Sequence, residues 1–144
     1  ASGGNNSGTR QDVIEYVTIM STGNAQDFGN LTEARNTPSC SNSVRGISAG
    51  GDPNSSTGTN LVDFITIATT GNSTDFGDLS QARRNQSAVA SPTRAVCYGG
   101  KTGSTELNTI DFCTIATLGN YVDFGDTLTT PVGRCGLSNG HGGL

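Results

Sequence analysis

Asp63-Phe64-Ile65-Thr66-Ile67-Ala68-Thr69-Thr70-Gly71-Asn72-Ser73-Thr74-Asp75-Phe76-Gly77 decides the fold, because the chain writes this phrase three times. It recurs as Glu15-Tyr16-Val17-Thr18-Ile19 leading through Gly23-Asn24 to Asp27-Phe28-Gly29. It recurs again as Asp111-Phe112-Cys113-Thr114-Ile115 leading through Gly119-Asn120 to Asp123-Phe124-Gly125. Gly23, Gly71 and Gly119 stand 48 residues apart. A period of this length marks one supersecondary unit that cannot bury its apolar face alone and must stack on its neighbours. Within each copy, β-branched and aromatic residues alternate with polar ones, then a Gly-Asn turn and a shorter aromatic run follow, which is strand chemistry.

Working outward, Gly50-Gly51 opens a unit and a polar loop covers Asp52 to Thr59. A strand is expected over Leu61 to Thr69 and a second over Thr74 to Leu79. A bend follows at Ala82-Arg83, then two more strands, Gln86 to Ala90 and Arg94 to Tyr98, on either side of Ser91-Pro92. Gly99-Gly100 closes the unit. The expected division is 1–49, 50–98 and 99–144, one repeat domain of four-stranded units. The phase of the repeat is offset: Ser138-Asn139-Gly140-His141-Gly142-Gly143-Leu144 matches Ser41-Asn42-Ser43-Val44-Arg45-Gly46-Ile47, while Ala1-Ser2-Gly3-Gly4 supplies the small-small-Gly-Gly that follows Ile47. Ala1, Ser2, Gly3, Gly4, His141, Gly142, Gly143 and Leu144 therefore read as complementary halves of one strand. They would join within one molecule or between neighbours.

Bulk composition agrees. Only 32% of the 144 residues are hydrophobic, there is no Trp, and 21 are Gly, so the core is thin and the turns many. No segment carries apolar residues at helical spacing, and the chain reads as all-β. A net charge of -4 and a single lysine, Lys101, leave no basic stripe for phosphates and argue against nucleic acid as a partner. No apolar run reaches the length of a membrane-spanning helix. Cys40, Cys97, Cys113 and Cys135 fall at non-equivalent repeat positions without CxxC spacing, which favours free thiols acting as small hydrophobes; one or two disulfides remain the alternative.

The double glycine at Gly50-Gly51, the aromatic Phe64 after an acidic residue, the second aromatic Phe76 and the Arg83 beyond it resemble the kelch-type propeller repeat. Phe28, Phe76 and Phe124 stand where that repeat usually has Trp, and unit three has Pro131-Val132 where the others have Ala-Arg. The wording of the repeat is more specifically similar to kelch-like arrays in large structural proteins of marine bacteriophages. The resemblance implies β-propeller blades whose ring or array is completed by self-association, and a virion or extracellular setting. The competing fold is the β-trefoil, which also builds about 140 residues from three similar units.

The Asp-Phe-Gly triplets look like a kinase metal-binding triplet, but no P-loop, VAIK-type lysine or HRD loop accompanies them, and threefold repetition suits a structural turn. Asp27, Asp75, Asp78, Asp123 and Asp126, with nearby Asn residues, are conceivable calcium ligands; local turn chemistry by Asn72, Asn24 and Asn120 is the plainer reading. Glu15, Asp63 and Asp111 recur on equivalent strands and are expected to pair with Arg35, Arg45, Arg83 and Arg94 near the unit edges. His141 is the only histidine and has no metal-binding companion. No cofactor, metal or catalytic residue is expected. The leading expectation is a non-enzymatic phage virion or tail component whose partner is itself and whose loops contact host-surface glycans. An extracellular fibre subunit polymerising by strand complementation is the alternative, and a polysaccharide-acting enzyme is the third reading.

Overall fold

The double glycines are where each sheet turns on itself. In the computed structural model, which describes residues 1–138, the chain is all-β, with no helix among the described residues. Sheet one consists of β1 (Ser2–Asn6), β2 (Thr9–Tyr16) and β3 (Gln26–Asn30). Sheet two consists of β4 (Ser39–Ser41), β5 (Arg45–Gly51), β6 (Thr59–Thr66) and β7 (Thr74–Arg83). The elements β8 (Ser87–Ala90), β9 (Arg94–Tyr98), β12 (Thr109–Thr114) and β13 (Val122–Asp126) form sheet three. A hairpin of β10 (Lys101–Thr102) and β11 (Thr105–Glu106) sits in its central loop. Neighbouring strands are antiparallel and follow chain order apart from that insertion.

These sheets are not the sequence units. The strands on either side of a double glycine pair with each other, so β5 runs into β6 and β9 into β12. Leu61–Thr69 and Arg94–Tyr98, expected in one unit, lie in different sheets. The chain changes sheets after Arg83, where β7 continues through the expected bend. Asn85 adopts a left-handed φ of 56°, and Arg84 bridges Lys101 of the β10–β11 hairpin as Asn36 bridges Asp52, just past the end of β5. Among the described residues sheet one has three strands and sheets two and three have four each. Of the complementary halves, Ala1, Ser2, Gly3 and Gly4 form the start of sheet one, while His141, Gly142, Gly143 and Leu144 lie outside the described residues.

Each central strand carries an irregularity at the same place, between Ile14 and Glu15, Val62 and Asp63, and Ile110 and Asp111. A bulge re-aims the next side chain, and here that residue is the repeated carboxylate. Sheets two and three share the main core of Ile47, Ala49, Val62, Phe76, Leu79, Ala95, Cys97, Cys113, Ile115 and Tyr121. Between sheets one and two the core is smaller: Ile14, Phe28 and Leu31, with Ile65 packed against them. Each sheet also has an edge-to-face aromatic pair, Tyr16–Phe28, Phe64–Phe76 and Phe112–Phe124, at centroid distances of 6.1, 6.0 and 5.7 Å. All four cysteines are free.

Candidate functional site: the clasps between sheets and the two end faces

The repeated Arg and Asp residues do not decorate edges. Arg35, Arg83, Asp63 and Asp111 have no exposed surface. Arg35, at the end of unit one, reaches onto sheet two, where it meets Asp63 at 2.9 Å and donates from Nε to the Gly50 carbonyl at 3.0 Å. Arg83 repeats this from sheet two to sheet three, pairing with Asp111 and donating to Thr109 O at 2.9 Å and Gly99 O at 3.4 Å. The other carboxylate contacts also repeat: Thr32 donates its hydroxyl to Asp63 at 2.7 Å and Ser80 its hydroxyl to Asp111 at 2.8 Å. Buried ion pairs hold only when their remaining hydrogen-bonding capacity is met. Here backbone carbonyls and hydroxyls meet much of it.

A second seam runs along the Gly-Asn turns. Gly71 N donates to Phe28 O at 2.7 Å and Gly119 N to Phe76 O at 2.9 Å. Asn72 and Asn120, expected to cap their own turns, instead accept with Oδ1 from Asn30 N and Asp78 N of the preceding sheet, both at 3.0 Å. The approach is so close that a Cβ on Gly29 or Gly77 would fall on the backbone of Gly71 or Gly119. Asp75 and Asp123 accept from the amides of Gly77 and Gly125 at 3.2 and 3.1 Å, which is turn chemistry. Among the described residues no three His, Cys, Asp or Glu gather as a metal site. Arg45 and Arg94, expected to pair with carboxylates, lie over the rings of Phe64 and Phe112 at 4.7 and 4.8 Å.

The repeat is broken at both ends of the stack. Position for position, Glu15 replaces Asp63 and Asp111, Leu128 replaces Thr32 and Ser80, and Pro131 replaces Arg35 and Arg83. At 48-residue spacing it is Pro131, not Val132, that falls on the arginine. Sheet three therefore has no arginine to reach outward. Its outer face instead shows Phe124 58% exposed and Leu128 fully exposed, whereas Phe28 and Phe76 are buried between sheets. Past the end of β2, Val17 is half-exposed and Ile19 is 93% exposed; the sheet-three counterparts Cys113 and Ile115 are buried, while the sheet-two counterpart Ile67 is itself exposed. Phe124 and Ile19 are thus exposed at repeat positions where Phe28, Phe76 and Ile115 are buried. Residue type alone did not flag Leu128 or Ile19; comparing burial across counterparts does.

A groove of about 860 Å³ opens between sheets one and two, lined by Ala1, Tyr16, Phe28, Leu31, Phe64 and Ile67 among others. No family model matches the chain, and no curated protein is significantly similar to it.

Proposed function

We propose that this chain is a non-enzymatic structural module of kelch-like propeller blades that stacks head to tail on copies of itself. One observation carries the reading: Phe124 towards one end of the chain and Ile19 towards the other are exposed, whereas their counterparts Phe28 and Phe76, and Ile115 on sheet three, are buried. Contiguous apolar surface of this kind marks an interaction site, and two different faces that complete each other make a heterologous contact, closing a ring or growing a filament. The charged groups most suited to chemistry, Asp63 and Asp111, are taken up in the clasps, which supports a structural role. The similarity of the repeat's wording to marine bacteriophage arrays supports a place in a virion or tail, with the polar Ser, Thr and Asn loops facing a host-surface glycan. A fibre subunit is the filament form of the same contact.

Light scattering with negative-stain imaging tests this. Discrete multimers are expected from a ring and long particles from a filament, and Phe124→Asp should abolish either. A protein that stays monomeric at every concentration would overturn the reading.

A further inference from the structure

Asp52-Pro53 is the one aspartyl-prolyl bond in the chain, since the other prolines follow Thr37, Ser91 and Thr130. Such a bond joins a carboxylate within reach of its own main-chain carbonyl carbon to a tertiary amide nitrogen that carries no hydrogen and is the more easily protonated and expelled. Here the carbonyl is held by two donors. Arg10 donates from Nε to Asp52 O at 2.9 Å, and Asn36 N donates to the same oxygen at 3.0 Å. A carbonyl oxygen met by a guanidinium and an amide is prepared for the negative charge it gains when its carbon is attacked.

The nucleophile is fixed beside it. The Asp52 side chain is buried, with Oδ2 2.8 Å from Arg10 Nη2 and 3.9 Å from Arg84 Nη1, while Oδ1 accepts from the amides of Asn54 and Ser55. Arg10 Nη2 also donates to Ser55 Oγ at 2.6 Å. One arginine thus grips the carbonyl, the carboxylate that would attack it and the loop behind it. Turn capping explains the contacts with the Asn54 and Ser55 amides. The Asn36 bond belongs to the repeat, because Lys101, in the equivalent place, accepts from Arg84 N at 2.9 Å. Neither accounts for a guanidinium on the main-chain oxygen, and Lys101 brings no carboxylate. Just downstream, Ser55 adopts a left-handed φ of 69°, a strained conformation for a residue with a side chain, and residues 54–57 are exposed. The bond lies where water arrives and where a cut relieves strain.

We propose that the chain cleaves itself between Asp52 and Pro53. A carboxylate oxygen of Asp52 attacks the Asp52 carbonyl carbon while Arg10 Nε and Asn36 N hold the developing oxyanion. A five-membered cyclic anhydride forms as the C–N bond breaks; the Pro53 nitrogen leaves with the bonding pair and takes a proton from water. The hydroxide left behind opens the anhydride. One water is consumed, and the products are a piece ending in Asp52 with two carboxylates and a piece beginning with the secondary amine of Pro53. The pieces stay together, because β5 of the first pairs with β6 of the second from Arg45 with Thr66 to Ala49 with Val62, and Arg35 clasps Asp63 across the cut. Nothing is required from a second copy, so cleavage stands apart from head-to-tail stacking.

The purified full chain is incubated at neutral pH in buffer and, in parallel, in concentrated urea, and followed by denaturing gel and intact mass. Fragments 1–52 and 53–144, together one water heavier than the parent, are expected in buffer, at a first-order rate independent of protein concentration. In urea, where the oxyanion donors are lost, cleavage should be about 10²-fold slower. Equal or faster cleavage in urea would reduce the effect to the ordinary lability of an aspartyl-prolyl bond and overturn the proposal, as would a chain that stays whole in buffer. In heavy-oxygen water, label in the Asp52 side-chain carboxyl marks the anhydride; label confined to the main-chain carboxyl marks direct hydrolysis and would also overturn it. Arg10→Gln should slow cleavage by about 10²-fold, the effect of losing one oxyanion donor. Should that variant fail to fold, Pro53→Ala decides: with the parent's circular dichroism it is expected to stay whole, and cleavage at the parent's rate would count against the mechanism.

Discussion

Arg83 and Asp111 are both withdrawn from water, so each charge depends on the other. Removing one partner of such a pair costs about 3–5 kcal/mol because the survivor is left uncompensated. Arg83→Met is therefore expected to lower the unfolding free energy from urea titration by an amount in that range, and Asp111→Asn added to it should recover part of the loss, since the stranded charge is the larger share. Additive losses in the double variant would show that the cost lies elsewhere. The thiols make a second prediction at this scale. Burial pushes Cys40 from 9.0 up to about 12 and raises Cys97 and Cys113 in the same direction. A group held protonated by the folded state contributes its full stability below its unfolded pKa and loses it above. Melting temperature should thus hold up to about pH 9 and fall as pH climbs toward 12. Cys135, being exposed, should be the one thiol that alkylates readily before unfolding.

At the scale of elements, the strands were legible in the sequence and their partners were not. Alternation around Phe64 and Phe76 locates β6 and β7 to within a few residues, because strand chemistry is local. Pairing is not local: whether the strands before a double glycine join those after it depends on Gly50 and Gly51 adopting φ of 58° and 119° and on Arg84 crossing to Lys101. Asn72 was misassigned for the same reason, since its Oδ1 serves a neighbouring sheet that its own turn sequence does not mention. Arg83 was recognised as a partner for a carboxylate but placed at an edge; its burial follows from the stacking of sheets. The seam it belongs to predicts that Gly77→Ala is costly. Gly77 has φ of 142° and its Cβ would meet Gly119, so strain of about 1–3 kcal/mol is joined by a backbone clash. Chemical denaturation should show a loss beyond that range, and a loss under about 1 kcal/mol would mean that the sheets separate easily there.

For the whole molecule, the decisive comparison is between residues that are the same in sequence and different in surroundings. Gly125 repeats Gly77 in triplet, in turn and in φ, 138° against 142°, yet among the described residues nothing lies within 4 Å of the Cβ it would carry. In the head-to-tail contact proposed for the end faces, the Gly23-Asn24 turn of a second copy takes the place that Gly119-Asn120 takes against Gly77. Gly125→Ala should then be cheap for the monomer, limited to backbone strain of about 1–3 kcal/mol, but as obstructive to association as Gly77→Ala is to folding. The measurement is a pair of curves on one variant: denaturation of the dilute chain, and mass against concentration by light scattering. A folded Gly125→Ala chain that no longer associates is the expected result, and association at parent strength would mean that copies do not meet through a continuation of the internal repeat.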